Sequence, residues 1–81
     1  MERYFFNLAG AIVDPDDKGM ELLNLSDARI MAARHAGEYL RDRPEVAWLS
    51  NEFRIEVTNA DGLVLFTFIA FGVDAPAGQG T

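Results

Sequence analysis

Cysteine is missing from this chain of 81 residues, which excludes disulfides, thiolate metal sites and cysteine nucleophiles. No apolar run approaches the ~20 residues that a membrane helix needs, so no membrane partner is expected. Met1-Glu2-Arg3 leads straight into a strand-like segment rather than a signal peptide. Histidine occurs once, at position 35, and tryptophan once, at position 48. Bases are scarce: seven Lys and Arg stand against thirteen Asp and Glu, for a net charge of −6, and beyond Pro44 only Arg54 is basic. A phosphate backbone does not suit such a surface, so no nucleic-acid partner is expected. These exclusions describe a cytoplasmic protein with room for one domain. Surface scaling lets a domain of this size bury roughly 60 to 65 % of its unfolded-chain surface, enough to fold alone with little to spare.

What is present centres on the stretch from Phe53 to Phe71, which reads as a β-hairpin. Phe53, Ile55 and Val57 alternate with Arg54, Glu56 and Thr58, the period of a half-buried strand. Leu63 to Phe71 is instead apolar on both faces and rich in β-branched and aromatic residues, a pattern expected of a central strand or of one whose outer face meets a partner. Between them, Asn59 and Asp61 can cap a turn with their side chains, and Gly62 can take a positive φ as a bulge. A four-residue loop sets Val57 and Ile55 beside Val64 and Phe66, whereas a three-residue loop with a Gly bulge sets them beside Leu65 and Thr67. A one-residue slip exchanges the faces. The first register is preferred, because it gathers Phe53, Ile55, Val57, Val64, Phe66 and Phe68 on one core face.

Earlier in the chain, Arg3 to Leu8 is a strand with Tyr4, Phe6 and Leu8 on one face and Phe5 left on the other. Ala11-Ile12-Val13 reads as a short returning strand, and Met20 to Leu23 as an extended lead into a helix. Asp14-Pro15-Asp16-Asp17-Lys18-Gly19 resembles a calcium loop at first sight. The fit fails, because Lys18 falls where the fifth ligand belongs and Leu25 where a bidentate Glu is required. A solvated turn is the simpler reading, and no metal or cofactor site is expected. Ser26 supplies an N-cap and Asp27 a favourable charge for a helix from Asp27 to Arg43, stopped by Pro44. Its apolar stripe is Ala28, Ala32, His35, Ala36 and Tyr39, with small alanines that let it lie close on a sheet. Trp48 and Leu49 are too apolar for a free loop and are expected to fold back over the helix end or the open end of the sheet; the alternative is a contact point for a partner. Residues 72–81, rich in Gly, Ala and Pro, read as a mobile tail after a domain of residues 1–71.

RYFFNL at the start, PDDKGMEL after the acidic turn, the DARIMAARHAGEYL helix and RIEVTNADGLVLFT near the end resemble a family of small uncharacterised bacterial proteins, typically written RYFFHL, PDxxGxEL, ARxxAxxxAxxxL and IEVTDxxGxxL. The likeness covers about residues 3 to 68, with Asn7 standing where such sequences often have His. That family is a domain of unknown function, so the resemblance implies a single folded domain and carries over no activity, cofactor or ligand. The order of strand, PDxxG turn and Ala-rich helix is also similar to antitoxins that pair with small ribonuclease toxins, a likeness of layout that would imply a basic partner.

The expected architecture is α+β in two layers: a three- to four-stranded antiparallel sheet with one helix on one face, in the order β-(β)-α-β-β. One helix covers one face, leaving Phe5, Leu63, Leu65 and Ile69 on the other, and Trp48 beside it. That face is too apolar for water. Two function classes follow. The first is a non-enzymatic interaction or regulatory module that self-associates as an isologous homodimer or binds a protein partner through Phe5, Leu63, Leu65, Ile69 and Trp48. The second is a small-ligand or enzymatic domain, whose only polar candidates are His35, Tyr39 and the Asp14–Asp17 loop. A concave apolar pocket holding His35 beside a carboxylate would favour the second class; a flat apolar patch with His35 packed away would favour the first.

Overall fold

The alternation of Phe53–Thr58 places that strand at the centre of the protein. In the computed structural model, which describes residues 1–78, the side chains of Phe53, Ile55 and Val57 are fully enclosed. The elements are β1 (Glu2–Gly10), β2 (Met20–Leu22), α1 (Leu25–Asp42), β3 (Phe53–Thr58) and β4 (Val64–Ala70), with 3-10 turns at Pro44–Trp48 and Pro76–Gly78. The strands form one antiparallel sheet in the order β2-β1-β3-β4. This is the two-layer α+β arrangement anticipated from the residue pattern. The core lies between sheet and helix. Tyr4 and Phe6 of β1 and the three enclosed residues of β3 meet Ala28, Ala32 and Ala36 of α1, with Val46 closing one end. A methyl group is the largest side chain at each of those three helix positions, so the helix approaches the sheet closely.

The hairpin turn closes through side-chain chemistry. Asn59 Oδ1 accepts from the backbone N–H of Asp61 at 2.9 Å and of Leu63 at 3.1 Å, and Gly62 takes φ 82°. The register differs from both expected alternatives. Val57 pairs with Phe66 and Ile55 with Phe68, two residues on from the preferred match, and Thr58 pairs with Val64 across an irregularity that leaves an extra residue on β4. Such a bulge bends the strand and shifts side chains by one position. It keeps Phe66 and Phe68 on the core face while turning Val64 out of it.

Three further expectations are corrected. The short second strand is Met20–Leu22, paired with Glu2–Tyr4, and Ala11–Val13 is a turn whose Ala11 N–H donates to the Glu52 carbonyl at 3.0 Å. The helix cap is Asn24, whose Oδ1 accepts from the N–H of Asp27 at 2.9 Å, so the helix begins at Leu25 rather than Asp27. Asn24 wins because it stands three residues before a free N–H and carries a short acceptor. The residue that folds back after Pro44 is Val46, fully buried, while Trp48 stays 63 % exposed. The 3-10 turn over Pro44–Trp48 points Val46 inward and leaves Trp48 and Leu49 outside. The tryptophan ring lies against Gly72, where a Cβ would collide with it, and the Gly72 N–H donates to the Ala47 carbonyl at 2.8 Å. The end of the expected tail, residues 79–81, lies outside the described residues.

Replacing the cap should separate the two candidates. Asn24→Ala is expected to lower unfolding free energy by about 1 kcal/mol, and Ser26→Ala to leave the urea midpoint nearly unchanged. A larger loss at Ser26 would contradict the assignment.

Candidate functional site

The loop between β1 and β2 is organised by a carboxylate that takes the place of a strand. Strand β2 pairs only with the beginning of β1, and Leu8 meets Asp14 in an isolated bridge. Between those contacts the N–H of Phe6 faces the loop, and Asp16 Oδ2 accepts it at 3.1 Å. The other oxygen, Oδ1, accepts from the N–H of Lys18 and of Gly19, each at 3.0 Å. Asn7 closes the arrangement from the sheet side. Its Oδ1 accepts from the Asp16 N–H at 2.9 Å, and its Nδ2 donates to the Glu56 carbonyl at 3.0 Å and to Thr58 Oγ1 at 3.3 Å. Gly19 completes the turn at φ 72°, where a Cβ would stand 2.9 Å from the Phe5 ring. Phe5 is therefore half-covered by its own loop.

This loop forms one wall of a cleft of about 410 Å³, and the helix forms the other. Asp14, Pro15, Asp16 and Asp17 face His35 and Tyr39 over a floor of Phe6 and Leu8. The cleft thus unites His35, Tyr39 and the acidic loop, groups that their sequence positions leave far apart. The His35 ring stands edge-on to Phe6 at 4.9 Å, and the Tyr39 ring stacks on Phe53 at 5.2 Å. Burial pushes the Asp16 carboxyl up, and the N–H groups of Gly19, Phe6 and Lys18 together with the charge of nearby His35 outweigh it and hold the group below the ordinary aspartate value. A carboxylate with both oxygens engaged by backbone donors is a fixed anion and a poor proton acceptor at neutral pH. The cleft lining holds no serine, threonine, cysteine or lysine. Among the described residues, no group of three or more His, Asp and Glu side chains is placed to hold a metal ion, and no helix is long and apolar enough to cross a membrane.

The second surface is the sheet away from the helix. Its middle is polar. Arg54 stands 3.5 Å from both Glu52 and Glu56, flanked by Asn7, Thr58 and Thr67 of the same face. The apolar part is concentrated on β4 and the turn before it: Leu63 is 62 % exposed, Val64 57 %, Leu65 37 % and Ile69 46 %. Leu63 sits in the turn rather than in the strand. Strand β4 is not the central strand that its two apolar faces suggest; it ends the sheet, and no described strand pairs with its outer edge. Trp48 lies against Gly72, just past the end of β4, and a hollow of about 420 Å³ lies between Leu49–Glu52 and Phe71–Asp74. Sequence reasoning singled out the five surface residues and the cleft groups, and overlooked Asn7 and Asp16 as a pair. An Asn in a strand opposite an Asp-rich turn is the only signal that could have suggested them.

A family model described as a domain of unknown function, DUF6894, matches residues 3–72. No curated protein and no solved structure matches the chain.

The lowered pKa of Asp16 sets a sign for acid denaturation. Its folded value lies below its unfolded value, so its contribution is fully present above about pH 4 and is lost as pH falls through the folded value. Asp16→Ala is expected to flatten the wild-type decline in melting temperature over that acid range. An unchanged slope would mean that the carboxylate contributes nothing to the folded state.

Proposed function

We propose, for a chain that belongs to the DUF6894 family of domains of unknown function, that it is a non-enzymatic cytoplasmic interaction module whose working surface is β4. The observation that carries this reading is the state of that strand. Seven residues, Val64–Ala70, hold no charge and end the sheet with an open edge, and exposed Val64, Leu65 and Ile69 lie on them, next to exposed Leu63. An open apolar edge offers unpaired backbone groups to an added strand and invites association unless covered. Natural edges are blunted by Lys, Pro, short length or a bulge; β4 has no Lys or Pro and runs for seven residues, and its one irregularity lies near its start, opposite Val57 and Thr58. The cleft does set His35 opposite carboxylates, the arrangement that would favour a ligand-binding or enzymatic domain. Its loop wall is acidic rather than apolar and Asp16 is held by three N–H groups, so it supports catalysis less well.

A second reading uses the cleft. Asp14, Asp16 and Asp17 line it and the chain carries a net charge of −6, features that suit a Lys or Arg side chain of a basic partner, as in the antitoxin-like layout.

Affinity capture from the native cell separates the two. Leu65→Glu and Ile69→Glu are expected to lose the bound protein that wild type retains, and His35→Ala to keep it. Retention by both β4 variants with loss in His35→Ala or Asp17→Asn would transfer the function to the cleft.

A further inference from the structure

We propose that the occupant of β4 is β4 of a second copy of this chain, running antiparallel and centred on Thr67, so that two subunits share one eight-stranded sheet. This rests on the reading of β4 as the working surface and names what covers it. The strand is Val64-Leu65-Phe66-Thr67-Phe68-Ile69-Ala70, and it reads nearly alike in both directions. Phe66 and Phe68 flank Thr67, Leu65 and Ile69 come next, and Val64 and Ala70 stand at the ends. An isologous contact needs a surface complementary to itself, and this order provides one. Antiparallel pairing about Thr67 sets Thr67 opposite the partner's Thr67 and Phe66 opposite the partner's Phe68, and brings Leu65, the extra residue at the β4 irregularity, beside the partner's Ile69.

Both faces of the sheet benefit from that pairing. A twofold axis perpendicular to the sheet keeps the helix side of one subunit continuous with the helix side of the other. Phe66 and Phe68, packed on the core yet only half-buried, then meet the partner's Phe68 and Phe66 and carry the apolar layer across the axis. On the opposite face, the exposed Leu65 and Ile69 enclose one another around the two threonines. Aromatic and branched side chains opposed across strands are the pairs that stabilise sheets.

Charge selects a second copy over a basic partner at this surface. Two chains of net charge −6 repel wherever their carboxylates approach, and β4 carries none. The nearest acidic residues along the chain are Asp61 and Asp74, and on the neighbouring strand Glu56 is already paired with Arg54. A basic partner would find no counter-charge on β4.

The absence of cysteine makes the test direct, because Thr67→Cys introduces the only thiol. Directly opposed residues in antiparallel strands have Cα atoms about 4.5 or 5.5 Å apart, within reach of a disulfide. Mild oxidation should therefore convert Thr67→Cys into a covalent dimer, whereas Ala33→Cys, on the exposed side of the helix, should remain largely uncrosslinked. Light scattering of wild type at micromolar concentration should give double the 9.0 kDa chain mass. Thr67→Lys and Thr67→Glu should each be monomeric alone and should form a mixed dimer when combined, a rescue that misfolded variants could not show. A monomeric wild type, or a dimer in which Thr67→Cys crosslinks no faster than Ala33→Cys, overturns the proposal. Should wild type be monomeric while Leu65→Glu still abolishes capture, the second copy is wrong and β4 remains the working surface. Should β4 substitutions leave capture untouched as well, both readings fail together.

Discussion

Three methyl groups set the arrangement of this protein. Ala28, Ala32 and Ala36 press α1 onto Tyr4 and Phe6 of β1 and onto Phe53, Ile55 and Val57 of β3, and every one of those residues is buried. Close packing of small side chains against large ones brings dispersion and burial together without a cavity. It also fixes which part of the sheet the helix covers. A single helix about 10 Å across spans roughly two strands spaced about 4.8 Å apart, so it cannot blanket four; its buried contacts are with β1 and β3, and it only passes near β2 and β4 at the edges. The outer strand β4 keeps its inner residues half-buried and its outer residues exposed. The open surface is thus a consequence of geometry, independent of any one exposed leucine.

At the opposite edge of the sheet the problem is solved within the chain. Strand β2 is only three residues long and leaves part of β1 without a neighbour. The Asp16 carboxylate accepts the N–H that a longer strand would have taken, and Asn7 ties the same loop to β3. A backbone donor left unpaired costs more than a paired one contributes, which explains why a polar clip occupies a place where a hydrophobic contact could not substitute. The two edges therefore contrast. One is closed by a loop rich in charge and hydrogen bonds, and the other is apolar, uncharged and open. The cleft between the acidic loop and the helix is a by-product of that closure, and its carboxylates face His35 because the clip and the helix both lie against β1.

Much of this was legible in the order of residues. Alternation placed Phe53, Ile55 and Val57 on one face, the Asn59–Gly62 turn announced the hairpin, and Pro44 marked the end of the helix. Composition alone showed that one short helix would not cover both faces of the sheet. Less was legible wherever two residues of equal aptitude compete. Asn24 and Ser26 are both good caps, and Val46, Trp48 and Leu49 are all apolar enough to fold inward. The cleft groups were named from the sequence, but their meeting was not legible, since Asp16, His35 and Tyr39 come together only when the loop and the helix dock on the same strand.

The amino-acid sequence by itself determined the first strand, the helix, the hairpin, the faces of β3 and the uncharged, near-symmetric character of β4, because these follow from periodicity and composition over a few neighbouring residues. Tertiary structure alone decided the hairpin register, the bulge that turns Val64 outward, the clip between Asn7 and Asp16, and which strand was left at the edge. Each of those depends on how distant segments share a limited number of backbone donors and a single helix, and no local pattern records that competition.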